Sequence, residues 1–280
     1  MKEIMEATKN EVVVCCKCGS GNNGGQIRLP INSWYCPNCA DQSPHRKSTK
    51  HKRRTCTLVH RKKSRRLLPY TPSKDFDQRL EQMKSLTSAL KAVNMEFSND
   101  LTYPPGMAPE SANRADLENG GVQVLSNGDI ETYHKCRAMA ERGEYPPLRI
   151  VYDPIEGYTI QADGPIKDMT LIAEYTGEVD YIKNREQDES NSMMTLLLAT
   201  NPDESLVICA DRRGNIARFI SGINNHKPES RKRKNVKCVR YDVNGVCRNL
   251  LVVTRHIAKG ERLYIDYNGH ENEYPTHYFV

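Results

Sequence analysis

Two sets of residues in this 280-residue chain have types and spacings that could do chemistry. The first is a pair of CxxC motifs, Cys15 with Cys18 and Cys36 with Cys39. Four thiolates at this spacing suit one tetrahedral zinc of the ribbon kind, and because no Cys or His lies between Cys18 and Cys36 a second zinc has no ligands. The island therefore reads as one zinc site or as a remnant without metal. The second set is three segments of the C-terminal half: Ile172-Ala173-Glu174-Tyr175-Thr176-Gly177-Glu178, then Gly214-Asn215-Ile216-Ala217-Arg218-Phe219-Ile220 running on to Asn225-His226, then Gly260-Glu261-Arg262-Leu263-Tyr264-Ile265-Asp266-Tyr267. Each is a weak signal alone; their order and spacing together are a strong one. No GxGxxG or phosphate-binding loop is present in the C-terminal half, which argues against a dinucleotide-binding sheet as their setting.

The elements that must position these segments are short. Arg149 to Tyr152, Tyr158 to Ala162, Met169 to Tyr175, Leu206 to Ala210, Val236 to Tyr241 and Asn249 to Thr254 are rich in β-formers, with Gly, Asp, Asn or Pro between them. Asn244-Gly245 predicts a tight two-residue hairpin. Upstream, Phe76, Leu80, Met83, Leu86, Leu90, Val93 and Phe97 recur every three or four residues, and Asp75 with Gln78 has the form of a capping box. That pattern predicts an amphipathic helix packed on the domain that follows. A second helix is predicted from Ile130 to Arg142, ended by Gly143 and then by Pro146 and Pro147. Many short strands with few helices predict an α+β fold.

Length allows two folding units at most. Composition divides the chain into a Cys-rich island (1–44), a basic linker (45–66), a helical flank (67–145) and a main domain (146–280). The linker holds eleven of the 41 Lys and Arg and no acid, so the rest of the chain sets 30 bases against 35 acids, a net of about −5. A body of that sign suits a cationic protein substrate. The linker's clusters, Lys50 to Arg54 and Arg61 to Arg66, have the form of a bipartite nuclear-import signal or of a solvated tether, and either can touch DNA electrostatically. No apolar run approaches the roughly 18 residues of a membrane span, and Met1-Lys2-Glu3 does not lead into a secretory core. A soluble intracellular protein with no membrane partner is expected, its scattered cysteines reduced.

The three segments resemble the signatures of SET domains. Arg218 to His226 carries a longer loop than the usual Arg-Phe-Ile-Asn-His-Ser. With Glu273-Tyr274-Pro275-Thr276 it is similar to the plant Trithorax-related enzymes that monomethylate lysine 27 of histone H3, over about residues 67–280. The Cys-rich island resembles the two ends of a plant homeodomain finger. The resemblance implies a β-clip-like SET domain with a knotted C-terminus. It further implies S-adenosyl-L-methionine as methyl donor and, for a monomeric nuclear enzyme of silenced heterochromatin, the histone H3 tail of a nucleosome as partner.

The resemblance also implies site residues. Arg218, Phe219, Ile220, Ser221, Gly222, Ile223, Asn224, Asn225 and His226 should hold the adenine and the amino-acid end of the donor, since an Asn amide offers a zwitterion both donors and acceptors. Gly157 and Tyr158, after Glu156, form the turn against its methionine part. Tyr267 should be the catalytic tyrosine, its hydroxyl near the sulfonium and the target nitrogen. Met193, Met194 and Thr195, with Tyr264 and Ile265, fall where a substrate lysine enters. Such a channel must supply a neutral amine, an in-line approach and exclusion of water. Plain structural readings stand beside these: a packed tyrosine with a satisfied hydroxyl for Tyr267, a buried imidazole for His226, and core for the apolar run Met193 to Leu198.

Two features depart from the family pattern. No cysteine follows Cys247, so the zinc segment that closes many SET sites is missing and Tyr274 to Val280 must close this one differently. The position two before Tyr267, commonly Tyr or Phe and linked to the number of methyl groups added, is Ile265. Two other readings fit the residues: a chromatin adaptor with an inactive SET fold tethered by its basic run, and a methyltransferase for a non-histone protein.

Overall fold

The computed structural model describes residues 65–188 and 192–268, Thr276, Phe279 and two short strands near the N-terminus. The chain divides into two compact units, Met1–Arg61 and Lys62–Val280. In the first, β1 (Val13–Val14) pairs antiparallel with β2 (Gly21–Asn22). Cys15, Cys18, Cys36 and Cys39, the basic residues 45–64 and Glu273-Tyr274-Pro275 lie outside the described residues.

The second unit opens with β3 (Leu68–Pro69), α1 (Phe76–Ala92) and β4 (Glu96–Phe97), then β5 (Gln123–Val124) and α2 (Asn127–Glu141). The hairpin β6 (Leu148–Asp153) and β7 (Gly157–Ala162) follows, then β8 (Thr170–Glu174), β9 (Glu178–Tyr181), β10 (Met193–Leu197) and β11 (Leu206–Cys209). The last elements are β12 (Arg213–Gly214), β13 (Ser221–Gly222), α3 (Pro228–Arg233), β14 (Val236–Val243), β15 (Val246–Val253) and β16 (Tyr264–Ile265).

Asp75 caps α1 by accepting from the Asp77 N–H at 2.9 Å, but the expected capping box does not close. The Gln78 amide donates instead to the carbonyl and carboxylate of Asp163 at 2.8 and 2.9 Å, and Gln82 reaches the same carboxylate at 2.8 Å. A charge-assisted bond to a fixed acceptor outweighs one to an N–H that water can serve. The helix also packs by less of its apolar stripe than its periodicity predicts. Ala89 and Leu90 are buried with Gln82, whereas Phe76, Leu80 and Met83 are exposed and Phe97 lies beyond the helix in β4. Ser126 caps α2, accepting from the Asp129 N–H at 3.3 Å, and Gly143 at φ 74° ends it.

The central sheet has the order β3-β8-β15-β14-β5. Its long hairpin pairs Val243 with Val246 across Asn244 and Gly245, at φ 55° and 86°, the two left-handed residues that a type I′ turn requires. Both faces are covered. Leu171, Leu250 and Val252 pack with Tyr133, Cys136 and Met139 of α2, while Ile172, Leu251 and Val253 face the main core with Ile160, Leu196, Ile208 and Leu263. Alternation with period two sends successive side chains to opposite faces, and burial of both faces turns Leu250 to Val253 into a continuous apolar run. A second sheet, β10-β11-β9, joins this core through Val179, Leu196, Leu197 and Ile208.

Candidate functional site

The parallel pair β13 and β16 sets two of the three sequence segments side by side, Ser221 opposite Tyr264 and Gly222 opposite Ile265. The Ile223 N–H donates to the Ile265 carbonyl at 2.9 Å, and the Tyr267 hydroxyl donates to the Ile220 carbonyl at 3.1 Å. The loop 218–226 is thereby fixed along the strand that leads to Tyr267. Asn215 ties in the remaining segment: it caps the turn Ile216–Phe219 by accepting from the Ala217 N–H at 3.0 Å and donates to the Glu174 carbonyl at 2.9 Å. Tyr158, next to the Gly157 that opens β7, meets Phe219 edge to face at 6.0 Å, so the first expected contact turn and the loop adjoin.

Tyr175, which the sequence singled out only as part of a motif, is fully buried at this junction. Its hydroxyl donates to the Ser192 carbonyl at 2.8 Å. Burial pushes its phenol far above the ordinary value; Tyr267 adds to that, Arg218 opposes it, and Cys238 and Asp211 add again. The hydroxyl is thus held neutral beside Tyr267 and Arg218. Ser192 in turn donates a short hydrogen bond to Asp211. Met193 and Met194 follow Ser192 on β10, opposite Cys209 and Ile208, and the Thr195 carbonyl accepts from the buried Asn249 amide at 2.8 Å.

Polar contacts order the amide-rich turn. The Asn224 backbone N–H donates to the Ser230 hydroxyl at 2.8 Å and its side-chain oxygen accepts from the His226 N–H at 2.9 Å. The Asn225 amide nitrogen donates to Asp266 at 2.9 Å, yet its oxygen is buried with no hydrogen-bond partner among the described residues. An acceptor left open in this way fits the ammonium of an amino-acid-bearing cofactor. The His226 side chain is exposed, which removes the reading of a buried imidazole. Tyr264 is buried and commits its hydroxyl to the Glu156 carboxylate at 3.0 Å, while Ile265 is almost fully buried between β13 and the core.

The C-terminal residues that are described lie on this site. The Thr276 hydroxyl accepts from the Asn225 N–H at 3.3 Å, the Phe279 carbonyl accepts from the Asn224 amide at 3.0 Å, and the Phe279 ring stacks on Tyr267. Phe279 comes so close to Gly222 that a Cβ there would collide with its ring. Gly177 is needed for a like reason, since its added Cβ would meet the Cys209 carbonyl at 2.5 Å.

A cavity of about 800 Å³ lies elsewhere, between α1, α2 and β8, lined by Met83, Phe97, Tyr133, Arg137 and Glu174 among others. None of the site residues expected from the sequence lines it, so cavity size does not mark the chemistry here. Among the described residues no cluster of His, Cys, Asp or Glu could hold a metal ion, and no helix is long and apolar enough to cross a membrane.

The geometry agrees with comparisons to known proteins. The family model "SET domain" matches residues 157–268. Histone-lysine N-methyltransferase ATXR5 of Arabidopsis thaliana is 50% identical over 315 residues, covering 96% of this chain and 83% of that protein. The probable ATXR5 of Ricinus communis is 54% identical over 302 residues, covering 96% and 81%. A crystal structure of ATXR5 in complex with histone H3.1 monomethylated on arginine 26 superposes with a TM-score of 0.75 at 66% identity, over 77% of this chain and 100% of that one. With relatives this similar along almost its whole length, and with the three segments converging on one tyrosine, the chain belongs to the SET-domain histone-lysine N-methyltransferases.

Proposed function

We propose that this enzyme places one methyl group on lysine 27 of histone H3, with S-adenosyl-L-methionine as the donor. The observation that carries the reading is the position of Tyr267. β16 delivers it to the loop 218–226, and its hydroxyl is fixed on the Ile220 carbonyl at 3.1 Å. The histone H3.1 held in the related crystal structure supports the substrate, because its methylated arginine 26 is the neighbour of lysine 27.

When bound, the donor supplies a methyl group on a sulfonium. The residues of the chain do the rest. Asn225 accepts from an ammonium, and Tyr158 with Phe219 offers an aromatic wall. Tyr267 orients the lysine amine through its hydroxyl, and Phe279 keeps water off the Tyr267 ring. Met193, Met194, Thr195 and Ile265 flank the substrate lysine. Tyr264 acts at one remove, by fixing Glu156 beside the Gly157-Tyr158 turn. The acidic body draws in the basic tail, and the run 45–66 serves nuclear import and holds the enzyme on DNA. The N-terminal cysteines are a remnant without metal in this reading, and the enzyme works as a monomer.

Mass spectrometry of histone octamers incubated with the full chain and donor tests the assignment. One methyl group on lysine 27 of H3 is the expected product. Donor binding without any methylated histone would replace the enzyme by the adaptor reading.

A further inference from the structure

We propose that α3 and its flanks form a contact for the phosphate backbone of duplex DNA, immediately beside the donor loop. The inference rests on the histone-substrate reading, because a tail held in the active site brings nucleosomal DNA next to the protein surface that surrounds it. Of the eleven residues from Lys227 to Lys237, six are Lys or Arg and Glu229 is the one acid. Arg233 reaches Glu156 at 3.7 Å and lies over the Tyr264 ring at 5.6 Å, and Lys234 pairs with Asp266 at 3.3 Å. These contacts fasten the cluster to the Glu156–Tyr264 pair and to the carboxylate that holds Asn225.

Lys227, Arg231, Lys232 and Lys237 carry no ion pair among the described residues, and the first three are exposed. From Lys227 to Lys234 the one apolar side chain is the small ring of Pro228, so the exposed turn offers charge without a large apolar anchor. Protein hot spots are well-packed, desolvated pockets, which an exposed run of cations does not provide. A phosphate backbone needs only cations at short intervals, since duplex DNA presents one negative charge per about 1.7 Å. Outside residues 45–66 and 227–237, 24 Lys and Arg face 34 Asp and Glu, a net of about −10. Positive charge is therefore concentrated in two places, one of them the linker and the other this turn, and the remainder of the chain is net acidic. The turn thus orients the active site toward the tail that emerges beside the duplex.

The test uses the full chain with Lys227→Ala, Arg231→Ala and Lys232→Ala combined. By fluorescence anisotropy at about 0.1 M salt, affinity for a DNA duplex of about 20 base pairs should fall on the order of 10-fold, and the log–log salt slope should drop by about 0.9 for each phosphate that is no longer neutralised. Methylation of nucleosomes should fall with it, while methylation of a free H3 peptide stays at the wild-type level. A charge-keeping variant, Lys227→Arg with Arg231→Lys and Lys232→Arg, should bind DNA like wild type. Unchanged duplex affinity and slope in the alanine variant would overturn the proposal, as would equal loss of peptide methylation or loss of binding by the charge-keeping variant. If the wild-type chain fails to methylate the peptide, the substrate reading falls, and the duplex measurement still decides the DNA contact by itself.

Discussion

Phe279 lies almost face to face with Tyr267, ring centroids 5.6 Å apart and planes 18° apart, so a residue next to the C-terminus roofs the tyrosine that the sequence marks as catalytic. A stacked pair of this kind contributes about 0.5–1.5 kcal/mol beyond its buried area. Phe279→Ala should therefore lower the methylation rate by about 10-fold with a small loss of melting temperature, and Phe279→Tyr should retain the rate. Equal rates for wild type and Phe279→Ala would show that the roof has no part in turnover.

Tyr267→Phe keeps the ring in that stack and removes the hydroxyl that bonds to the Ile220 carbonyl. Turnover should fall by about 100- to 1,000-fold, as when one preorganised polar group is taken from a reacting centre. The bond itself is worth only about 1 kcal/mol of stability, so donor affinity and melting temperature should stay close to wild type. Single-turnover kinetics alongside a melting curve separates the two effects; a variant that turns over normally would take Tyr267 out of the mechanism.

Glu174 is buried at the seam between α2 and the central sheet. It accepts from Tyr133 at 3.0 Å and from Arg248 at 2.8 Å, with Arg137 at 3.8 Å, while burial pushes its carboxyl upward against the pull of Arg248. Glu174→Gln leaves the Arg248 charge uncompensated and should cost about 3 kcal/mol in urea unfolding. Combining it with Arg248→Gln should cost less than the sum of the two changes, because the penalty is shared. Additive losses would mean that the pair is not coupled.

Asp153 organises the turn that presents Tyr158. Hydrogen bonds from the Glu156 and Ile155 N–H groups, at 3.0 and 2.8 Å, and from Arg262 at 2.8 Å hold its carboxyl down at about 2. A folded-state value below the unfolded one means that the stabilisation is complete above about pH 4 and is lost as pH falls toward 2. Asp153→Asn should thus melt below wild type at pH 7, and the gap should narrow in melts run from pH 4 downward. A gap that stays constant with pH would point to packing instead of the carboxylate.

Strands were legible where β-formers were bounded by turn residues, and the Asn244-Gly245 hairpin was fully specified by two residues that tolerate positive φ. β9 and β10 are not evident from the sequence, because β9 pairs with β11 across the intervening β10, and the motif reading of Met193 to Thr195 does not specify strand pairing. The α1 stripe misled for a related reason: periodicity counts apolar positions without saying which of them meet a neighbour, and Gln82 took a buried place that Phe76 and Leu80 did not. In the site, the tyrosine at 267 and the amide loop stood out by their local motifs. Tyr175 did not, since its hydroxyl partner is 17 residues away and only the folded chain brings Tyr267, Arg218 and Cys238 around it.

The central sheet takes both of its outermost strands from upstream of the matched SET segment: β3 pairs with β8 at Leu68 opposite Thr170, and β5 with β14 at Gln123 opposite Tyr241. A chain cut back to the matched residues would bare the unpaired N–H and C=O groups of β8 and β14 as two open templates for strand addition. The upstream residues thus act as stoppers against self-association, and aggregation in place of folding is the fate expected of the signature segment when it is expressed without them.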